Sequence, residues 1–530
     1  MWPVVFLVAF LLAYFLQYVH RRQQYFADRG IHGPPAQWLV GHAPELFLHC
    51  APLQLQQWSK AYGETYGIYE GGATPIIVTS NLDIIYDVFV RKWTNFHGRK
   101  PFPLEPDVDT SEKMHVFLAR GLRWKRLRAI TNPAFAVSKL KQILPPINDC
   151  LDALMHRLSE KSIKGQPFDI YPLYQEFTLD VIAHIAFGEQ QILQLRPAEE
   201  NPYMELAREV FQVPKSKITL TVAFFSLVFP QLKWLFTPIM HIFGRDPSMI
   251  IEKRLVKLVN ERRNEKDSYD GPMDFIQLFL DAEASKDDQE TNEMNRLKLQ
   301  TTNATVKAID KRHIDIRKKL TADEISMNLM LFVLAGFDTT SNTLAYASYL
   351  LAVNADKQRT AHDELTSVFG EQCTQPVMSY ENIQKLTYLE MVIKETLRLY
   401  PHAAIASTRQ CMETCEAGGI TVEKGVSVWP DVFTVHYSPR IWGDDAHEFR
   451  PERFAEKVYR HPMAWLPFGG GPRMCQGMRL AMLEVKMVLA HVLLQYSMEK
   501  CPETLVPLKI GGVTTIAPEA VTIRLCPRVS

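Results

Sequence analysis

Cys475 sits in the run Phe468-Gly-Gly-Gly-Pro-Arg-Met-Cys-Gln-Gly477, where a thiolate would be stabilised. Arg473 stands two residues before it, and the helix-forming run Met478 to Tyr496 follows. Nearby positive charge and the unpaired N–H groups of a helix start both lower a cysteine's pKa. Glycines at 469, 470, 471 and 477 permit turns closed to other residues and let a large flat ligand lie against the loop. The plainer alternative is a buried structural cysteine beside a Gly-rich turn. A phosphate-binding loop fits poorly, because no Lys-Ser/Thr pair follows the glycines.

Three further stretches carry candidate chemistry. Thr321-Ala-Asp-Glu324 has capping-box form and opens a long, mostly apolar helix to about Ala352. Inside it lies Ala335-Gly336-Phe337-Asp338-Thr339-Thr340, an acid beside two hydroxyls. Gly336 costs helix stability unless something must approach closely. A Thr hydroxyl can bond back to an upstream carbonyl and bend the helix, leaving a polar groove that holds water; taken alone, a kinked core helix reads the same way. In the basic run Leu122 to Arg128, Trp124-x-x-x-Arg128 puts an indole N–H and a guanidinium on one helix face, a pair suited to a carboxylate. Glu395-Thr-Leu-Arg398, on a helix from about Tyr388 that stops before Pro401, sets acid and guanidinium side by side.

In this order the segments resemble the cytochrome P450 superfamily. Phe468-x-x-Gly471-x-Arg473-x-Cys475-x-Gly477, with Ala481 following, is similar to the family's haem-binding loop, in which this cysteine is the axial iron ligand. A thiolate ligand pushes electron density toward iron and favours O–O cleavage. Ala335 to Thr340 is similar to the oxygen-activation segment. The resemblance implies that Trp124, Arg128 and Arg409 bind haem propionates, that Phe468 and Arg473 contact haem, and that Asp338 and Thr339 organise water and deliver protons. It also implies that Glu395, Arg398 and Arg453 of Pro451-Glu-Arg-Phe454 form a clamp supporting the haem loop. The outer basic residues Arg120, Arg123, Lys125 and Arg126 are expected either to face an acidic redox partner or to form a solvated charged face. Tyr437 departs from the family's usual arginine after the histidine, so His436 is given no haem contact. Val513 to Ile516 is expected to line the pocket by position alone.

The implied fold is mainly α with a smaller β region, preceded by an N-terminal transmembrane helix. The implied reaction inserts one oxygen atom of O2 into a lipophilic small molecule, with electrons from NADPH through NADPH-cytochrome P450 reductase. A P450-fold peroxide isomerase and a non-catalytic haem-binding membrane protein are the alternatives, and the intact Asp338-Thr339 pair argues against both.

The elements that must position these residues are set by the rest of the chain. Its 530 residues are 47% hydrophobic and 22% charged, a globular composition with a large core. Lys+Arg and Asp+Glu both number 59, which offers no argument for nucleic acid as a partner. The eight cysteines are scattered and form no disulfide framework, and Cys411-x-x-x-Cys415 lacks a second pair at zinc-ligand spacing. Met1 to Val19 is apolar and uncharged, with Arg21-Arg22 next. This predicts a membrane anchor over 1–20 with the remainder cytosolic, on the endoplasmic reticulum. A basic and Pro/Gly hinge over 21–36 and a catalytic domain over 37–530 follow.

Leu53 to Tyr62 reads as helix, and Thr65 to Tyr69 and Pro75 to Val78 as strands. Residues 101 to 118 read as a loop that, by the resemblance, covers the substrate pocket. Ile218 to Met240, interrupted by Pro230 and Lys233, reads as a hairpin dipping into the membrane surface rather than a second span. Residues 284–318 read as a polar surface insertion.

Overall fold

Apolar residues at helical spacing dominate the chain beyond Gly121, and the observed elements follow that pattern. The structure, a computed structural model, describes all residues except 1, 102–103, 190, 196–200, 202, 213–215, 245, 266–270, 272–273, 284–318, 371–372, 374–377, 513 and 529–530. The predicted insertion at 284–318 and the predicted pocket residue Val513 therefore lie outside the described residues. The helices that matter for the site are α1 (Trp2–Gln23), α2 (Ala51–Tyr62), α3 (Gly121–Thr131), α4 (Leu144–Lys164), α5 (Tyr171–Phe187), α6 (Lys217–Val228), α7 (Lys233–Phe243), α8 (Ala322–Val353), α9 (Thr387–Leu399) and α10 (Met478–Gln495).

The strands are short and form small separate sheets. β1 (Thr65–Glu70) and β2 (Thr74–Thr79) pair antiparallel where β-branched and aromatic residues predict them, with Thr65 opposite Thr79. After β3 (Phe168–Asp169) come β4 (Arg409–Gln410), the hairpin β5 (Cys415–Ala417) and β6 (Ile420–Val422), and β7 (Ser427–Pro430). The main sheet has the order β1-β2-β7-β4, its β2–β7 pair parallel and its β7–β4 pair antiparallel. β8 (Tyr496–Glu499), β9 (Ile510–Gly511), β10 (Ala517–Pro518) and β11 (Thr522–Pro527) complete the chain, with β11 between β3 and β8.

α8 is the spine of the helical body. Its cap forms as the sequence predicts: Thr321 Oγ1 accepts the Glu324 N–H, and the Glu324 carboxylate accepts the Thr321 N–H in return. α5 lies along α8 and is tied to it by polar rungs: Thr178 Oγ1 donates to Phe337 O at 2.9 Å, and Tyr174 and Ser348 share a hydroxyl contact of 2.8 Å. Gly336 belongs to this contact. A Cβ there would stand 3.2 Å from Ile182 Cδ1, so the close approach that the glycine implies is that of α5.

The basic helix α3 corrects an expectation. Arg123 and Arg126 do not face outward; both are buried against Glu324, with Arg123 Nε 2.9 Å and Arg126 Nη2 2.6 Å from Oε1. Arg120 pairs with Asp109. The physical reason is the capping box itself: Glu324 is pulled into the interior at the start of α8, and a buried carboxylate needs cationic partners. Burial opposes its charge, yet Arg126 and Arg123 hold its carboxyl below the ordinary value of 4.5. A lowered folded-state pKa contributes stability that is present above the ordinary pKa and lost as pH falls through the folded value. Glu324→Gln is therefore expected to destabilise by about 2 kcal/mol at pH 7, with the gap to the native chain closing as pH falls below 4.5. Melting curves at pH 7 and pH 4 check this.

α1 forms where the apolar start predicts a helix, with Arg21 and Arg22 in its last turn. Among the described residues, no single helix is long and apolar enough to cross a membrane. α6 and the segment Pro230–Phe243 pass that test together but are bent by 119° at their break. Trp234, Ile242 and Phe243 of this pair are exposed, and Phe15 of α1 lies 6.2 Å from Phe229 between ring centroids. The stretch after α1 is docked: Phe26 is buried against Gly67, and Tyr69 donates its hydroxyl to Gln23 O at 2.7 Å.

Candidate functional site

The loop before α10 is held by its own backbone. Cys475 N–H donates to Phe468 O at 3.0 Å, and Met474 N–H to Gly471 O at 3.0 Å. Gly469 and Gly471 have φ of +69° and +66°, which side-chain-bearing residues rarely adopt. A Cβ on Gly471 would also overlap Phe89 O, so the loop is pressed onto the short helix containing that residue. Gly477, in contrast, has ordinary φ, and a Cβ there would meet Phe135 at an ordinary contact distance of 3.8 Å. Cys475 is solvent-accessible and Phe468 partly so, while Gly470 and Arg473 of the same loop are buried.

The charge around this thiol differs from expectation. Burial pushes the Cys475 thiol up, opposed by the N–H groups of Gly477 and Met478 and by Arg128 and Arg99. Arg473 is not among these: its guanidinium reaches Phe117 O at 3.1 Å and also Ala119 O, and lies 4.8 Å over the Trp124 ring. The helix start and α3 thus act on the sulfur, while the neighbour in sequence points elsewhere. The protein alone favours the thiol, and a coordinated metal would remove its proton outright.

Beside the loop the structure gathers arginines without acids. Arg128 Nη2 donates to Met474 O at 2.8 Å. Arg409 Nη1 donates to Thr408 O at 2.9 Å, with its guanidinium 4.3 Å over the Phe89 ring. Arg99, which sequence reasoning missed, donates through Nη1 to Phe117 O at 2.8 Å. The Nε atoms of Arg99 and Arg473 are buried without a partner. Among the described residues, none of Arg99, Arg128, Arg409 and Arg473 has a carboxylate within ion-pair distance. Burial first, and then Arg128, lowers the Arg99 pKa to about 9; Arg409 and Arg473 are lowered by burial and by their arginine neighbours. His97, also missed, accepts the Gly121 N–H at 3.0 Å and is held neutral, its pKa lowered to about 3 by burial, Arg473 and Arg120. Buried like charges with idle donors are costly unless an anion completes them. A flat ligand bearing carboxylates and a metal for the sulfur fits these donors.

On α8, the segment Ala335 to Thr340 divides its side chains. Ala335 is exposed and Thr339 partly accessible, and Thr339 Oγ1 donates to Ala335 O at 2.6 Å, the back-bond the sequence predicts. Thr343 Oγ1 lies 2.8 Å from Thr339 O and 3.0 Å from His402 Nε2. Asp338 is buried, and its Oδ2 accepts from Asn342 Nδ2 at 2.8 Å and Thr515 Oγ1 at 2.5 Å. Burial pushes its carboxyl up to about 6 against those two donors. The predicted stretch ending at Ile516 therefore acts here as support: Thr515 holds Asp338, and Ile516 O accepts the Tyr346 hydroxyl at 2.9 Å.

The predicted clamp is present and fully buried. Arg398 Nε and Nη2 meet the two Glu395 oxygens at 2.7 and 2.8 Å, and Arg453 Nε meets Oε1 at 2.8 Å. His436, to which no haem contact was assigned, links clamp and loop: its Nδ1–H donates to Arg398 O and its Nε2 accepts the Leu466 N–H, both at 2.9 Å.

Comparison with known proteins accords with this geometry. The family model described as Cytochrome P450 matches residues 31–310 and 298–524. The Caenorhabditis elegans protein named cytochrome P450 CYP13A4 is 38% identical over 485 residues, covering 90% of this chain and 89% of the relative. CYP13A5 of the same organism is 37% identical over 515 residues, 95% of each chain, and cyp-13B1 is 35% identical over 544 residues, 99% of each.

Proposed function

The chain belongs to the cytochrome P450 superfamily and is a haem monooxygenase, and from that premise we propose that it oxidises a lipophilic small molecule with electrons from NADPH delivered by NADPH-cytochrome P450 reductase. The observation that carries the site assignment is the pairing of an accessible thiol with unpaired, buried arginines. When bound, haem supplies the redox iron at which O2 is activated and one of its atoms transferred to substrate. Cys475 Sγ would hold the haem iron. Arg99, Arg128, Arg409, Arg473 and the indole N–H of Trp124 would receive its carboxylates, and Phe468 would lie against it. Thr339 holds water on the open side of α8, and Asp338 supplies protons to it.

Thr339→Ala tests this reading. It should keep the haem and its CO spectrum, because the hydroxyl is not a ligand. Product per NADPH should fall roughly tenfold while NADPH oxidation continues and hydrogen peroxide accumulates. Thr339→Ser should recover part of the coupling. Wild-type product per NADPH in Thr339→Ala would withdraw the proton role from this hydroxyl.

Membrane attachment is the second part of the proposal. The apolar faces of α1 and of the bent α6–α7 pair adjoin through Phe15 and Phe229, which supports an endoplasmic-reticulum protein anchored through 1–20, its catalytic domain cytosolic beyond Arg21-Arg22. The exposed apolar hairpin also supports entry of substrate from lipid. Deleting residues 1–20 should release much of the protein from microsomes. Full carbonate resistance of the truncated chain would mean that α6 and α7 hold it on their own.

A further inference from the structure

We propose that Thr515 is the positioning residue through which Asp338 exchanges protons with the solvent side of the protein; the inference rests on the proton role assigned to Asp338 above. Asp338 is enclosed by Phe337, Asn342 and Tyr346, all at 0% exposure. Two groups touch its carboxylate, and they differ in what they can do. Asn342 turns its amide N–H toward Oδ2 because its Oδ1 is engaged by the Tyr171 hydroxyl at 2.6 Å. An amide nitrogen oriented this way gives a hydrogen bond but cannot take a proton from elsewhere and pass it on. A hydroxyl has one donor and two lone pairs. Thr515 can therefore hand its proton to Oδ2 while its oxygen takes one from the solvent side, so that one proton enters and none is stored.

The surrounding chain fixes Thr515 in that place. Its neighbour Thr514 is exposed, and so is Gly512. Gly512 has φ of +121°, and a Cβ there would overlap Thr515 O, so the turn closes back on Thr515 only with glycine. Ile516 is held on both sides, its N–H donating to His402 O at 2.9 Å and its carbonyl accepting the Tyr346 hydroxyl. The titratable groups facing Asp338 are Tyr171 of α5 and Tyr346 of α8, both pushed above the usual tyrosine range chiefly by burial and hence neutral. His402 beside Thr343 is also neutral, lowered to about 4 by burial. None of them competes as a proton source near neutral pH. The Asp338 carboxyl, raised to about 6 by burial, can both take and release a proton there.

Thr515→Val and Thr515→Ser in the full-length holoenzyme test the proposal, with a lipophilic alkoxyarene as probe substrate. The infrared carboxyl signal missing in Asp338→Asn reports the Asp338 midpoint. That midpoint should move up from about 6 in Thr515→Val, because a donor to the charged form is lost. Product per NADPH should fall roughly tenfold with an enlarged solvent isotope effect, and Thr515→Ser should restore both. Turnover driven by an organic hydroperoxide should be unchanged, which a merely structural loss would not allow. An unshifted midpoint, or native coupling in Thr515→Val, overturns the proposal. Should the valine variant not accumulate, Thr515→Ala is judged by the same readouts. A native chain that turns over with hydroperoxide but not with reductase overturns the electron-source reading instead, and the infrared midpoint still decides Thr515.

Discussion

Cys475→Ser is expected to lose the far-red-shifted Soret band of the reduced CO complex and, with it, all reductase-dependent product. The substitution changes one atom in a loop whose backbone bonds do not involve the side chain, since Cys475 N–H still meets Phe468 O. A neutral hydroxyl is a weak ligand for iron and supplies no electron push. Cys475 also receives help that serine cannot use: the N–H groups of Gly477 and Met478, with Arg128 and Arg99, stabilise negative charge on sulfur against burial. Serine, a far weaker acid than a thiol, would stay protonated in the same field. Cys411→Ser and Cys415→Ser serve as controls. Cys411 is buried with its thiol donating to Glu413 O at 3.0 Å, in the turn leading to the β5–β6 hairpin, and its loss should leave the CO band in place. An unchanged band in Cys475→Ser would sink the ligand assignment.

The local frame of each motif was legible in the sequence because it depends on neighbours within a few residues. The capping box at Thr321, the back-bond at Thr339 and the Glu395–Arg398 pair are all of this kind. What could not be read is what the fold brings from far away. Arg123 and Arg126 look like a solvated basic face until Glu324, some two hundred residues on, is seen to be buried between them. Arg99 stands in no recognisable frame, yet its guanidinium joins those of Arg128 and Arg473. Gly336 signals that something approaches closely, but only the fold shows that it is Ile182. Thr515 had only its place near the C-terminus to suggest a role, and its partner Asp338 is 177 positions away. In each case local spacing set the residue's conformation, while its partner was set by tertiary packing of groups that could not be buried alone.

Glu395→Ala should cost the most stability of any substitution outside the loop. Its carboxylate holds two guanidiniums at 0% exposure and also accepts the Arg450 N–H at 3.0 Å. Each guanidinium spends its remaining donors on carbonyls of other segments: Arg398 on His436 and Ala446, Arg453 on Trp442 and Asp445. Alanine would leave the buried Arg398 without a carboxylate and Arg453 with only Asp445, whose Oδ1 lies 3.3 Å from its Nη1, at a cost of about 3–5 kcal/mol. That is a large share of a domain stability of roughly 5–15 kcal/mol. The damage should travel to the haem loop, because His436 joins Arg398 O to the Leu466 N–H at the loop's entry. Low haem content, and a CO band moved to the position of a displaced thiolate, are expected together with a lowered melting temperature. Arg398→Lys should behave almost as badly, since a single ammonium cannot bridge both Glu395 oxygens and two carbonyls in one plane. Native haem content and melting temperature in both variants would show that the clamp is dispensable, and that Pro451 to Phe454 is held to α9 by packing alone.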